Sequence, residues 1–179
     1  KDVVPLLNQH GMRGVFAIPL EGSTLAEQTG FAIASPDQWQ AITAQGHELS
    51  AHGVNHASLP QLTPTQLETD LTSSQQALNA ATLIYPGGAH NETVVAAAQK
   101  HFRAARTVMR GLETIPPQDP MRLKTYNFTK RNFSLWKANI LATYAYLTNS
   151  WLIETYHMVA DKADSQYAIP PSDFAKHIR

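Results

Sequence analysis

An α/β fold, with parallel strands forming a sheet or barrel and helices outside it, is predicted by three observations. Short apolar runs of strand length alternate with segments of helical spacing along most of the chain. Helix-start signals and glycine stops punctuate these segments, and the connections between them are short. Histidines and a glycine turn fall at predicted strand ends, where folds of this kind gather their functional groups.

Taken in order, Val3 to Gln9 reads as a short amphipathic helix stopped at His10-Gly11, and Arg13 to Pro19 as a buried strand. Pro36 to Ala44 has helical spacing, with Trp39 and Ile42 on one side and Gly46 placed to end it. Glu48 to His52 is a short strand. Thr63-Pro64-Thr65-Gln66 opens the next helix: Thr63 can cap, Pro64 suits the first helical position, and Gln66 completes a capping box, with the helix running to about Leu78. Leu83 to Tyr85 is a strand ended by Pro86, Glu92 to His101 an Ala-rich helix, and Arg106 to Met109 a further strand. Gly111 to Pro120 holds three prolines without periodicity and reads as a surface loop. Trp136, Ile140, Tyr144 and Leu147 recur at helical spacing, Trp151 to Tyr156 reads as a buried strand with His157 just past its end, and a terminal helix starts near Ser172.

The chain is 179 residues long and 43% apolar. That length suits one compact domain, residues 1–179, burying about 70% of its unfolded surface. Fourteen basic residues balance fourteen acidic ones. The sustained positive field that nucleic acid or an anionic membrane would require is therefore absent, and a neutral substrate fits better. No run approaches the roughly 20 apolar residues of a membrane span, and Lys1 opens no signal-peptide pattern. Cysteine is absent. Disulfides and thiolate chemistry are excluded, so a metal would have to be held by His and carboxylate.

His52 and His56, four residues apart after a predicted strand, can converge on one divalent ion or can be two surface histidines. Small neighbours (Ser50, Ala51, Gly53, Ala57, Ser58) leave room for a cation and a substrate. His47 reads as structural, with Glu48 pairing nearby. Pro86-Gly87-Gly88 reads as a tight strand-to-helix turn, a conformation that also points N–H groups at an anion. His157, just past a predicted strand end, can be a satisfied core histidine following an aromatic strand, as a lone histidine usually is. No Gly-x-Ser-x-Gly elbow is present, which disfavours a serine esterase. The pair is separated by Gly53-Val54-Asn55 with no Glu base, which disfavours a zincin helix.

Together these residues resemble the polysaccharide deacetylases of carbohydrate esterase family 4, the NodB homology domain, over nearly the whole chain. Val3 to Ile18 looks like the family's first helix and second strand. Trp39 to Leu59 resembles the segment with the His-x-x-x-His motif, and Tyr85 to Asn91 its third motif in the Tyr-Pro-x-Gly form. Leu152 to Val159 is similar to the strand and histidine of the fifth motif, and Pro171 to Ile178 to the start of the last helix.

The resemblance implies a distorted (β/α) barrel, incomplete at both ends. It implies that His52 and His56 ligate a divalent ion, zinc first and cobalt or another first-row metal next. The Gly87 N–H would stabilise an oxyanion, His157 would be the general acid, and Tyr85, Pro86 and Gly88 would line the substrate. The implied reaction is removal of N-acetyl groups from a polysaccharide containing N-acetylglucosamine, at an extracellular or cell-envelope location. A non-catalytic glycan-binding domain and a small-amide hydrolase are the alternatives on the same fold.

The chain also departs from the family pattern. The Thr-Phe-Asp-Asp-Gly-like motif that carries the general base and third metal ligand is absent, and is expected upstream of Lys1. Asp2 falls where the family's helix begins and is given neither role. Ile84 stands where many members carry Arg. Of the fourth motif, only Asp119, Arg122 and Trp136 are candidates.

Overall fold

The computed structural model describes residues 3–21, 34–161 and 165–179. Asp2 lies outside them. The chain forms two compact units, one of Gly14–Thr107 and Asp119–Leu123, the other of Lys1–Arg13, Val108–Gln118 and Lys124–Arg179.

The first unit is a parallel sheet laid down in chain order. Strands β1 (Val15–Ile18), β2 (Glu48–Ala51), β3 (Thr82–Ile84) and β4 (Ala104–Arg110) each pair with the next. Val15 faces Glu48, Ala51 faces Leu83, and Ile84 faces Arg106. Strands in parallel need crossovers, and α2 (Pro36–Thr43), α3 (Pro64–Leu78) and α4 (Glu92–Ala98) stand between them in the chain, the βαβ order expected. β4 begins in this unit and ends in the other.

Local chemistry accounts for the helix starts. Thr63 accepts the Gln66 N–H while the Gln66 side chain takes the Thr63 N–H, with Pro64 at the first helical position. Ser35 and Gln38 form the same reciprocal pair at α2, and Asn91 caps α4. α3 ends at Asn79, which takes the left-handed conformation at φ 47°. The core packs Leu67 and Leu71 of α3 with Val94, Val95 and Ala98 of α4, beside Ala51, Leu83 and Ala105 of the sheet. Tyr85, Phe102 and Met121 complete it.

The second unit holds α1 (Val3–Gln9), β5 (Leu123–Phe128) after its first residue, α5 (Leu135–Leu147), β6 (Glu154–Tyr156), β7 (Met158–Val159), β8 (Ala168–Ile169) and α6 (Pro171–His177). β5 pairs in parallel with β6, and β7 with β8. Phe128 and Phe133 pack edge to face on each other and on His177, Phe133 also on Tyr156, and Tyr156 in turn on Phe174. The His177 ring also contacts Asn139 Oδ1 at 2.7 Å and both Glu154 carboxylate oxygens at 2.9 and 3.0 Å.

Three expectations are corrected. β5 was not expected: its Leu-Lys-Thr-Tyr-Asn-Phe sequence has few apolar residues, and only the alternate burial of Leu123 and Thr125 marks it as a strand. The predicted buried strand from Trp151 shrinks to a half-buried Glu154–Tyr156, because Trp151 instead exchanges backbone hydrogen bonds with Glu113 in an isolated bridge. The helix from Glu92 closes at Ala98 in place of His101. The helical stripe of Trp136, Ile140, Tyr144 and Leu147 lies on α5 but is exposed, Trp136 at 71%.

Candidate metal centre and active site

β2 ends at Ala51, so His52 is the first residue past its carboxyl end. Its N–H donates to the Ile18 carbonyl at 3.1 Å, continuing the β1 ladder for one residue. Its ring Nδ1 lies 2.6 Å from the Ile84 carbonyl oxygen at the end of β3. A carbonyl only accepts, so Nδ1 carries the proton and the ring lone pair sits on Nε2, the tautomer that suits a metal ligand.

The loop that follows turns sharply. Gly53 has φ 74° and His56 φ 60°, both left-handed. That turn brings the His56 ring back to 4.7 Å from the His52 ring, centroid to centroid and edge to face. The loop's outer carbonyls are tied to the β1 side, Gly53 accepting from Leu20 and Val54 from Glu21. Asp70, on α3, accepts the Val54 N–H at 3.0 Å.

Pro86–Gly88 is a single 3-10 turn leaving β3. Gly88 N–H donates to Tyr85 and Ala89 N–H to Pro86, while Gly87 stands at the exposed crest at φ 59°. Its N–H is not used in closing the turn. Tyr85, Pro86 and Gly88, expected to line the substrate, are buried and frame the turn from beneath. The Tyr85 hydroxyl donates to the Met121 carbonyl at 3.0 Å and its ring stacks on His90 at 5.2 Å. Burial pushes that hydroxyl up to about 12, with Arg122 opposing and Asp119 adding to the shift.

Of the fourth-motif candidates, Asp119 and Arg122 meet: Arg122 donates to Asp119 at 2.7 Å and to Glu92 at 2.7 Å. The Arg122 hydrogen bond holds the Asp119 carboxyl below its usual range. Trp136 belongs to the other unit. So does His157, which lies exposed between β6 and β7 with its ring against Tyr167 at 5.1 Å. His47 is buried and its Nδ1 accepts the Gly14 N–H at 3.0 Å, while Glu48 accepts the Thr82 hydroxyl at 2.5 Å.

Two neighbouring imidazoles, the His52 ring oriented by the Ile84 carbonyl, are a donor set that suits zinc or another first-row divalent ion. They fit as part of such a site. Among the described residues no group of three His, Asp or Glu converges. Sequence reasoning passed over Asp70 and His90, whose Nδ1 contacts the Gly88 carbonyl at 2.9 Å. It also passed over Arg106, in register with Ile84, whose guanidinium burial pulls down to about 10. Asp70 carried one signal, a lone acid within the apolar spacing of α3.

Among the described residues no helix is long and apolar enough to cross a membrane. Residues 1–104 match the family described as polysaccharide deacetylase. Over 99 residues, 46% of the chain, it is 33% identical to a gellan lyase from a Bacillus species, of which the matched stretch is 4%. The fold is shared with the Streptococcus pyogenes deacetylase PplD in complex with acetate, at TM-score 0.59 and 21% identity, covering 68% of this chain and 55% of that one. It is also shared with a family 4 carbohydrate esterase from Streptomyces lividans in complex with acetate, at TM-score 0.58 and 17% identity, covering 99% and 76%. The α/β fold is therefore the NodB type with an incomplete barrel, and the chain belongs to the polysaccharide deacetylase family.

Proposed function

We propose that this chain is the catalytic domain of a metal-dependent hydrolase that removes N-acetyl groups from a polysaccharide containing N-acetylglucosamine. The observation that carries the reading is the His52 and His56 pair at the carboxyl end of β2, its rings 4.7 Å apart and His52 locked by the carbonyl of Ile84, which ends the neighbouring β3 just before the Gly87 turn. When bound by His52 and His56, a zinc or cobalt ion would supply Lewis-acid polarisation of the acetyl carbonyl and a more acidic water.

The chain's own residues divide the remaining work. His52 and His56 hold and orient through Nε2 and the imidazole opposite it. The Gly87 N–H donates to the acetyl oxygen as charge collects there during attack on the amide carbon by water, whose proton passes to the general base that the family's Asp-Asp motif carries. His157 gives a proton to the departing nitrogen as the C–N bond breaks, so that acetate and a free amino sugar leave. Tyr85, Pro86 and Gly88 keep the turn in place beneath the sugar. A glycan substrate of this kind accords with an extracellular or cell-envelope location.

A second reading, a glycan-binding domain without catalysis, is favoured by the lack of a third converging acid among the described residues. Acetate release from N-acetylglucosamine oligomers by the full-length protein decides between them. Release that a chelator abolishes and zinc or cobalt restores supports the deacetylase. Oligomer binding without release supports the second reading, and release from small amides alone moves the substrate to that class.

A further inference from the structure

We infer that Asp70 is a positioning residue for the histidine pair, acting on the loop between His52 and His56 and not on the substrate. The inference rests on the reading of those histidines as metal ligands.

Asp70 stands on α3, 7% exposed, in the stretch that also buries Leu67 and Leu71. A carboxylate in such a place is costly unless it is used. Its Oδ2 accepts the Val54 N–H at 3.0 Å, and its Oδ1 is buried without a hydrogen-bond partner. Oδ1 instead faces the open side of Gly53, where a Cβ would come to 3.3 Å from it and to 3.2 Å from Pro86 Cγ. The acid therefore bonds one of the three residues that separate the two histidines, and the space beside a second, Gly53, is bounded by the acid and by Pro86 of the turn.

The loop needs such an anchor. Gly53 at φ 74° is tolerated because it lacks a side chain, but His56 at φ 60° is a branched-chain-sized residue in a region that L residues seldom occupy. A strained position persists only when its surroundings over-determine it. The β1 side holds the loop's carbonyls through Leu20 and Glu21. Asp70 holds its middle N–H from the opposite side, so the two sets of bonds together dictate where His56 turns back to meet His52. A leucine at position 70 would satisfy the core and leave that N–H unpaired.

Zinc affinity measured by calorimetry on the unsubstituted protein, Asp70→Ala and Asp70→Asn tests the inference, together with melting temperature and imidazole nitrogen spectra of the metal-free proteins. Asp70→Ala is expected to weaken zinc binding by about tenfold or more, the usual effect of removing a group that orients a ligand. The His52 and His56 resonances should move while those of His47, held by Gly14, stay. Asp70→Asn retains an oxygen that can accept the Val54 N–H and should recover most of the affinity, which a general loss of packing would not predict. Equal affinity in all three proteins overturns the inference. No zinc binding by the unsubstituted protein overturns instead the metal reading on which it rests. If Asp70→Ala does not fold, amide exchange at Val54 in the unsubstituted protein decides: protection well beyond that of Asn55 upholds the clamp, and exchange at the open-chain rate overturns it.

Discussion

The ring of His52 and the carbonyl of Ile84 are joined across neighbouring strands at 2.6 Å, and that bond puts the ring proton on Nδ1 and the lone pair on Nε2. If Nε2 of His52 and the ring of His56 form the metal site, His52→Ala and His56→Ala should each remove the calorimetric zinc signal and the acetate release, while leaving the circular dichroism spectrum unchanged. Zinc binding that survives both substitutions would place the site elsewhere.

Gly87 stands at φ 59° with nothing within 4 Å of a Cβ placed there. Gly87→Ala therefore meets no clash and costs only backbone strain, about 1–2 kcal/mol, read from chemical denaturation. If that strain is relieved by turning the Gly87 N–H away and the N–H serves the oxyanion, the rate of acetate release should fall further, by up to about 100-fold, the usual effect of losing such a donor. A rate loss no larger than the stability loss explains would leave Gly87 with a turn-forming role alone.

As general acid, His157 matters in proportion to how poor the leaving group is. His157→Ala should slow release from an N-acetyl sugar by about 10²–10⁴-fold and slow an activated aryl acetate far less. Equal losses on both substrates would argue that His157 supports structure and does not transfer the proton.

Burial raises the Asp70 carboxyl above its ordinary 3.8, with the Val54 N–H opposing the shift. The native state then holds that proton more tightly than the unfolded chain, so the stabilisation is complete below 3.8 and is lost as pH rises through the native value. Asp70→Asn removes this dependence. Plotted against pH, the melting temperature of the variant minus that of the parent should rise from mildly acidic to neutral pH; a flat difference would mean the carboxyl titrates normally.

The Tyr85 hydroxyl is committed to the Met121 carbonyl in the core. Tyr85→Phe should cost about 1 kcal/mol of stability in urea denaturation and leave KM for the oligosaccharide unchanged. A raised KM with unaltered stability would return Tyr85 to the substrate surface.

Much of the scaffold was legible because it is written in local chemistry. Thr63, Pro64 and Gln66 are neighbours, so their capping box could be named from sequence and reappears hydrogen bond for hydrogen bond at α3. His52 and the Pro86–Gly88 turn were readable at strand ends because β2 and β3 are short stretches bounded by local stop signals, Gly46 before β2 and Pro86 after β3. β5 was not, since a strand of Lys, Thr, Tyr and Asn acquires its identity from its partner, Thr155 beside Asn127. Nor was the exposure of Trp136 and Tyr144, because helical spacing says which residues share a stripe and not what covers it.

By itself, then, the sequence determined the α/β class and the order of strands and helices as far as β4, and it singled out the two histidines and the glycine turn as candidates, all matters of spacing and side-chain type. Only the tertiary structure decided that His52 presents Nε2, because the deciding carbonyl belongs to Ile84, 32 residues away. It alone showed that Asp70 accepts the Val54 N–H in the loop between His52 and His56 and that Tyr85 is buried at the start of the turn. Such contacts join positions far apart in the chain, and no local pattern of residue types encodes which backbone groups folding will bring within hydrogen-bond reach.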